Sequence, residues 1–305
     1  MTPLEIDPNI ARRYREPGAG VFDPALGSRN RWGGIRFLKT PSAALATAIL
    51  AFVILTAIVG PILRPGDPLR ITGEPLIQPF VDWAHPLGTD VLGRDLFSGV
   101  LFGARVSLLV GLSVAFISLV VGVLIGAIAG YAGGWIDWVV TRGIEIFQTI
   151  PGFVLLVVLV SVLEPSATTV IIGLALISWD AVARLTRAEV INHRSREYVL
   201  AAETSGVSGP RILFGEILPN IAPTLIVTAS IIVASAILAE SALSFLGLGD
   251  PNAASWGSMI GSGREQIRSY WFPTVIPGAF IVVTVFALNV LGDALNDFLN
   301  PRSNG

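Results

Sequence analysis

Six stretches of this chain are apolar over roughly twenty residues each, the length a helix needs to cross the hydrocarbon core of a bilayer. They fall at 42–63, 106–130, 144–163, 167–182, 221–245 and 272–291. Only Glu164, Pro165 and Ser166 separate the third from the fourth, so these two form a tight hairpin on one side of the membrane. An all-α, polytopic membrane protein of about six spans is expected. Composition agrees. The chain is 52% hydrophobic and 14% charged, whereas ordinary globular chains carry about 25% charged residues. Too little polar surface is left for a soluble fold, and a net charge of −2 does not suggest nucleic-acid binding.

The first apolar run begins near Pro41, behind a polar, arginine-bearing tail, which reads as a retained anchor rather than a cleavable signal. Orientation follows from Lys and Arg near the span ends. The tail, residues 1–41, holds Arg12, Arg13, Arg15, Arg29, Arg31, Arg36 and Lys39, and the loop between the fourth and fifth spans holds Arg184, Arg187, Arg194, Arg196 and Arg211. With six spans these two regions share a side, and the charge bias makes that side the cytoplasm, with both termini inside. The tail, with its Pro, Gly and Arg content, is expected to lack fixed structure. Two segments then face outward, 65–100 and 246–271, either as ordered loops capping the bundle or as docking surfaces for an external partner. Gly122, Gly126 and Gly130 repeat every four residues in the second span, a stripe that lets another helix approach closely; it reads as packing.

A charge at mid-bilayer costs roughly 2.5–3.5 kcal/mol, so buried ionisable groups ask for a reason. Glu240 sits inside the fifth apolar run with no cation nearby in sequence. It either hydrogen-bonds across the bundle or lines a polar path, and the sequence leaves both open. Asp180 and Arg184, four apart, are spaced for an ion pair on one helix face. Asp293 and Asp297 are expected to be solvated at the end of the last span.

Enzymatic chemistry finds no support. The chain has no cysteine, and its two histidines, His85 and His193, lie far apart; no metal site is expected. A P-loop requires GxxxxGK[ST], and the sole lysine, Lys39, lies in a stretch with Leu38 where the second glycine must stand. HExxH and GxSxG are absent. The loop 197–220, EYVLAAETSGVSGPRILFGEILPN, is more informative. Glu197 opens a short helix with small Ala201 and Ala202 side by side, Gly206 ends it as a C-terminal glycine does, and Pro219 marks the entry to the fifth span. Such a helix could insert into a partner's groove or simply connect two spans.

These residues resemble a family. Ala201-Ala202, Gly206 and Leu218-Pro219 are similar to the EAA loop of binding-protein-dependent ABC importer permeases, with departures at Leu200, where the pattern has Glu, and at Glu216, where it often has Ile. The run from His85 to Asp95 (HPLGTDVLGRD), Gly103-Ala104-Arg105-Val106-Ser107-Leu108 and Gly130-Tyr131-Ala132-Gly133-Gly134 resemble the segments around the second helix of the dipeptide/oligopeptide branch. Ala242-Leu243-Ser244-Phe245-Leu246-Gly247-Leu248-Gly249 and Ser255-Trp256-Gly257 resemble the stretch between its last two helices. The matches cover about 40–302, and the chain is similar to the C-type permease subunit of a peptide importer.

The resemblance implies a type I ABC importer permease fold, with a permease domain at 42–300. It implies a pore-forming role in ATP-driven uptake of di- or oligopeptides, across a bacterial inner membrane. The partners it implies are a second homologous permease, two cytosolic P-loop ATPases that bind ATP and Mg, and an external substrate-binding protein. This chain would hold no cofactor and would not itself be an enzyme. Loop 197–219 would be the coupling element, carried by Glu197, Ala201, Ala202, Gly206, Leu218 and Pro219. Importers of nickel, glutathione or another small polar solute share these motifs. An ion-driven secondary transporter would instead need several paired intramembrane charges and repeated halves, and a membrane-embedded enzyme would need a nucleophile–base or metal constellation.

Overall fold

The computed structural model describes residues 40–299. Five helices are long and apolar enough to span a bilayer: α1 (Pro41–Leu63), α2 (Leu96–Ala132), α5 (Ala167–Arg194), α7 (Gly209–Phe245) and α9 (Phe272–Leu299). Two further helices, α3 (Gly134–Gln148) and α4 (Gly152–Val162), reach that length and apolarity only as a pair, bent by 74° at the break between them. Among the described residues there are also two short α-helices, α6 (Glu197–Thr204) and α8 (Trp256–Gly263), the latter followed by a 3-10 turn at Arg264–Gln266. Among the described residues there is no strand, only two isolated bridges. The fold is all-α and polytopic, as the apolar runs require. The expectations for the tail, including its lack of structure, and for the chain's last residues concern positions 1–39 and 300–305, outside the described residues.

Several helices differ from the apolar runs because helix formation does not stop where apolarity does. α2 begins at Leu96, not near residue 106, because the Asp95 carboxylate caps it: it accepts from the backbone N–H of Phe97 (3.3 Å) and Ser98 (3.1 Å) and from the Ser98 hydroxyl (2.7 Å). Such a cap satisfies donors that the first turn leaves unpaired. The segment 65–100 therefore ends in helix, and Gly103 to Leu108 lie within it. α5 continues past residue 182 to Arg194, and α7 begins twelve residues before 221. The third span breaks at Pro151, which lacks an N–H and pushes Ile150 out of helical geometry. The first ten residues of α3, 134–143, are too polar to have entered the apolar run.

The bundle is organised around α2 and α5, which pack along most of their lengths. The glycine stripe makes this possible. A Cβ on Gly122 would lie 2.5 Å from the Cβ of Val182, and one on Gly126 only 2.2 Å from the Ala183 carbonyl oxygen. The expected pair Asp180–Arg184 does not form. Gln148, at the end of α3, comes between them, donating through Nε2 to Asp180 and accepting from Arg184 Nη1 at 3.3 Å. Arg187 instead pairs with Asp137 of α3, Nη2 to Oδ2 at 2.6 Å. Polar side chains of α5 thus tie down the tilted half-helix. Asp293 and Asp297 are exposed.

α6 and α8 lie at opposite ends of α2: α6 meets its last turns around Ala127 and Tyr131, whereas α8 meets Gly99 and Gly103. At the α8 end, segment 65–95 is a compact loop. The fully buried Thr89 hydroxyl donates to the Glu74 carbonyl (2.6 Å) and accepts from the Ile77 N–H (2.9 Å). Asp90 accepts from the N–H groups of Leu92 and Arg94. Segment 246–271 is not a loop throughout, since it contains α8.

Candidate functional site

α6 is held to the bundle by one face and offers the other. Val199 is fully buried in a cluster with Ala127, Val190, Ile212, Leu213, Ile217 and Ile221, and Ala202, one turn on, is half-buried against it. Glu197, Leu200, Ala201, Glu203 and Thr204 are exposed. Glu197 stands in the first turn, where a carboxylate suits the helix dipole. Tyr198 hydroxyl and His193 Nδ1 lie 2.7 Å apart and fix the helix start to the end of α5. Burial pushes the Tyr198 phenol above its ordinary range, Arg196 opposing and Glu216 adding.

The helix ends as its glycine dictates. Gly206 has φ +78°, a left-handed conformation that costs other residues about 1–2 kcal/mol. The Val207 N–H reaches the Ala202 carbonyl (3.1 Å) and the Gly206 N–H that of Glu203 (3.0 Å), the paired closure that satisfies a helix's last carbonyls. Gly206 has open space around it. Only Val207 and Ser208 separate Gly206 from the start of α7, so the link between α6 and a helix of 37 residues is very short.

Leu218 and Pro219 do not mark the entry to this span; both lie inside α7, Leu218 half-buried and Pro219 exposed. The helix admits the proline through a π turn over Leu213–Ile217, closed by the Leu218 N–H on the Leu213 carbonyl. Pro219 has no N–H to give to residue 215 and would clash with that carbonyl in a regular helix; a widened turn relieves both problems. The other large exposed apolar groups of 197–220 are Leu200 (49% exposed), which the sequence marks only as a departure from the family pattern, and Phe214 (56%), which it does not mark. The signal was there: two bulky apolar residues amid otherwise small and polar surface.

Glu240 lies far from α6, near the other end of α7. It is 4% exposed and accepts a hydrogen bond from the Ser244 hydroxyl through Oε1 at 2.7 Å.

Comparison with known proteins identifies the family. Residues 122–305 match the family described as binding-protein-dependent transport system inner membrane component. The chain is 40% identical over 270 residues to the dipeptide transport system permease protein DppC of Bacillus subtilis, covering 88% of this chain and 84% of that protein. It is 38% identical over 273 residues to the di/tripeptide transport system permease protein DppC of Pseudomonas aeruginosa (87% and 90%). It is 36% identical over 305 residues to the oligopeptide transport system permease protein OppC of Bacillus subtilis (96% and 98%). The chain belongs to the family of binding-protein-dependent transport system inner membrane components. It is a pore-forming permease of an importer, a class that works with a substrate-binding protein and an ATPase.

Proposed function

We propose that this chain is one of two homologous permeases of a peptide importer, and that α6 couples it to one of two cytosolic P-loop ATPases. The observation that carries this reading is the construction of α6. It is anchored by Val199 on one side, free on the other, and joined through the Gly206 turn to a helix that runs the length of the bundle. Peptides are favoured over nickel, glutathione or another solute by the names of the relatives above. The arginine-rich tail and the basic 184–211 region favour an orientation with both termini cytoplasmic, which puts α6 inside and α8 with segment 65–95 outside, facing the binding protein. ATP and Mg would be bound by the ATPases, and this chain would supply no catalytic group.

The mechanism follows from rigidity. Leu200 and Ala201 enter a groove on the ATPase, where the small alanine allows close approach. Closure of the ATPases displaces α6. Its buried side carries the ends of α2 and α5 along through the Val199 cluster, and the short link moves α7, turning the permease from inward- to outward-open.

Ala201→Trp tests the assignment, because residue 201 points away from the bundle. The variant should insert normally, lose most co-purifying ATPase, and lose binding-protein-dependent uptake by about tenfold or more, the cost of roughly 1.4 kcal/mol or more at a packed contact. Wild-type ATPase recovery and uptake would overturn the coupling role of α6.

A further inference from the structure

The compact loop after α1 carries a tip that the described residues leave largely uncovered. Phe80 and Val81 are each 72% exposed, and Trp83 is 80% exposed. The tip is nonetheless a built turn. The Phe80 N–H donates to the Pro86 carbonyl (3.1 Å), and the His85 N–H to the Asp82 carbonyl (3.0 Å). The Asp82 carboxylate turns back to accept from the Ala84 N–H (2.9 Å). Phe80 has φ +65°, a left-handed conformation that bulky residues rarely adopt and that asparagine or glycine tolerates better. An aromatic ring is thus kept there against the preference of the backbone.

Contacts on both flanks set the height of this tip. Arg64, which caps the end of α1, donates through Nη2 to the Ala84 carbonyl (3.1 Å). Trp83 is therefore tethered to the last turn of a span, where Ile62 and Leu63 are themselves exposed. On the other flank, a Cβ on Gly88 would lie 3.1 Å from the ring of Phe272, the residue that opens α9. Trp271, also exposed, meets Phe272 edge-on, with ring centroids 6.3 Å apart. Because α1 and α9 pack against each other, Trp83 and Trp271 belong to one level, at the ends of two neighbouring spans. Tryptophan is enriched at that level, where its ring suits the boundary between headgroups and acyl chains. Arginine suits it too, laying its stem on apolar surface while its head stays in water.

We propose that the tip formed by Phe80, Val81 and Trp83 dips into the headgroup region of the bilayer beside α1, anchoring segment 65–95 to the lipid surface. The exposed apolar surface of the last turn of α1 runs on into the tip, and lipid is the partner such a surface always has. A substrate-binding protein also works at this end, but it is a passing partner and would leave these side chains in water between visits. Asp82 limits the depth, since a carboxylate is costly in hydrocarbon. The contact is therefore interfacial. That it concerns the outer leaflet rests on the orientation proposed above; the contact itself does not.

The absence of native cysteines allows one to be placed at Ala84, which is exposed and leaves the tip side chains in place. Ala84→Cys carries a bimane fluorophore in the importer assembled with cysteine-free subunits, in vesicles of phosphatidylethanolamine and phosphatidylglycerol. A lipid bearing a nitroxide just below its headgroup should quench this label as strongly as one at Ile62→Cys. A label at Asn252→Cys, exposed at the same end of the bundle, should be quenched by a soluble nitroxide instead. Phe80→Asn combined with Trp83→Gln removes the aromatic tip and suits the left-handed backbone. The label at 84 should then lose most of its lipid quenching and gain quenching by the soluble nitroxide; unchanged lipid quenching would overturn the anchor. So would soluble quenching of the native tip, or shielding from both quenchers, which would show a protein cover. Shielding that appears only when the substrate-binding protein is added would make the tip a docking surface and overturn the anchor equally. If the double variant does not insert, quenching of the native tip still decides. The measurement needs neither ATP nor transport, so failure of the ATPase-coupling reading would leave it separately interpretable.

Discussion

Gly126 and the Ala183 carbonyl are so close that a methyl group at 126 would sit 2.2 Å from the oxygen. The obstacle is backbone, which has no rotamer to change. Gly126→Val should therefore destabilise the protein at or above the upper end of the roughly 1–3 kcal/mol usual for overpacking, seen as a lower melting temperature in detergent. Gly143→Val is the matched control, since nothing lies within 4 Å of a Cβ there; an equal loss in both variants would refute the steric account. The same residue-level reasoning separates Gly206 from the stripe. Gly206 has free space, and its requirement is the sign of φ, not room. Spacing alone was enough to suggest both roles, because a four-residue repeat and a glycine after a short helix each have few physical meanings. The surroundings of Glu240 were not legible in this way. Ser244, which donates to the carboxyl, is one helical turn away, but the approach of α8, whose Gly257 meets the Ser241 backbone, is a tertiary contact that spacing does not show.

Among the elements, α7 carries the clearest consequence of local chemistry. The π turn at Leu213–Ile217 precedes Pro219 and holds one residue more per turn than a regular helix, which rotates everything before it by about 100°. Pro219→Ala restores an N–H able to bond the carbonyl of residue 215. The turn should then relax toward regular helix, raising thermal stability while turning α6 away from its seat. The expected outcome is a higher melting temperature with reduced uptake and ATPase recovery; unchanged uptake would show that the widened turn does not set the position of α6. The short helix α6 was placed almost to the residue by sequence, since Glu197 and Gly206 bound it with opposite end signals. The start of α7 was missed because its first turns are cut by Gly209, Pro210, Gly215 and Pro219, residues that ordinarily signal a loop. The break between α3 and α4 was missed for the reverse reason: the run after Pro151 is so apolar that it hides a bend.

For the molecule as a whole, hydropathy alone was enough to reach the class of fold, because burial in lipid leaves a backbone few options but helix. What it could not reach were the polar connections between spans. Gln148 stands between Asp180 and Arg184, and Arg187 pairs with Asp137, fifty residues away; such partners depend on how α3 leans against α5. The proposed coupling makes the bundle a lever driven from α6, and it claims a P-loop ATPase as what touches α6. A photo-reactive amino acid at position 200, irradiated in native membranes, tests that claim most directly. The account predicts a covalent adduct between this chain and a P-loop ATPase, identified by mass spectrometry and diminished by Ala201→Trp. Adducts to lipid alone, or to proteins other than an ATPase, would contradict it.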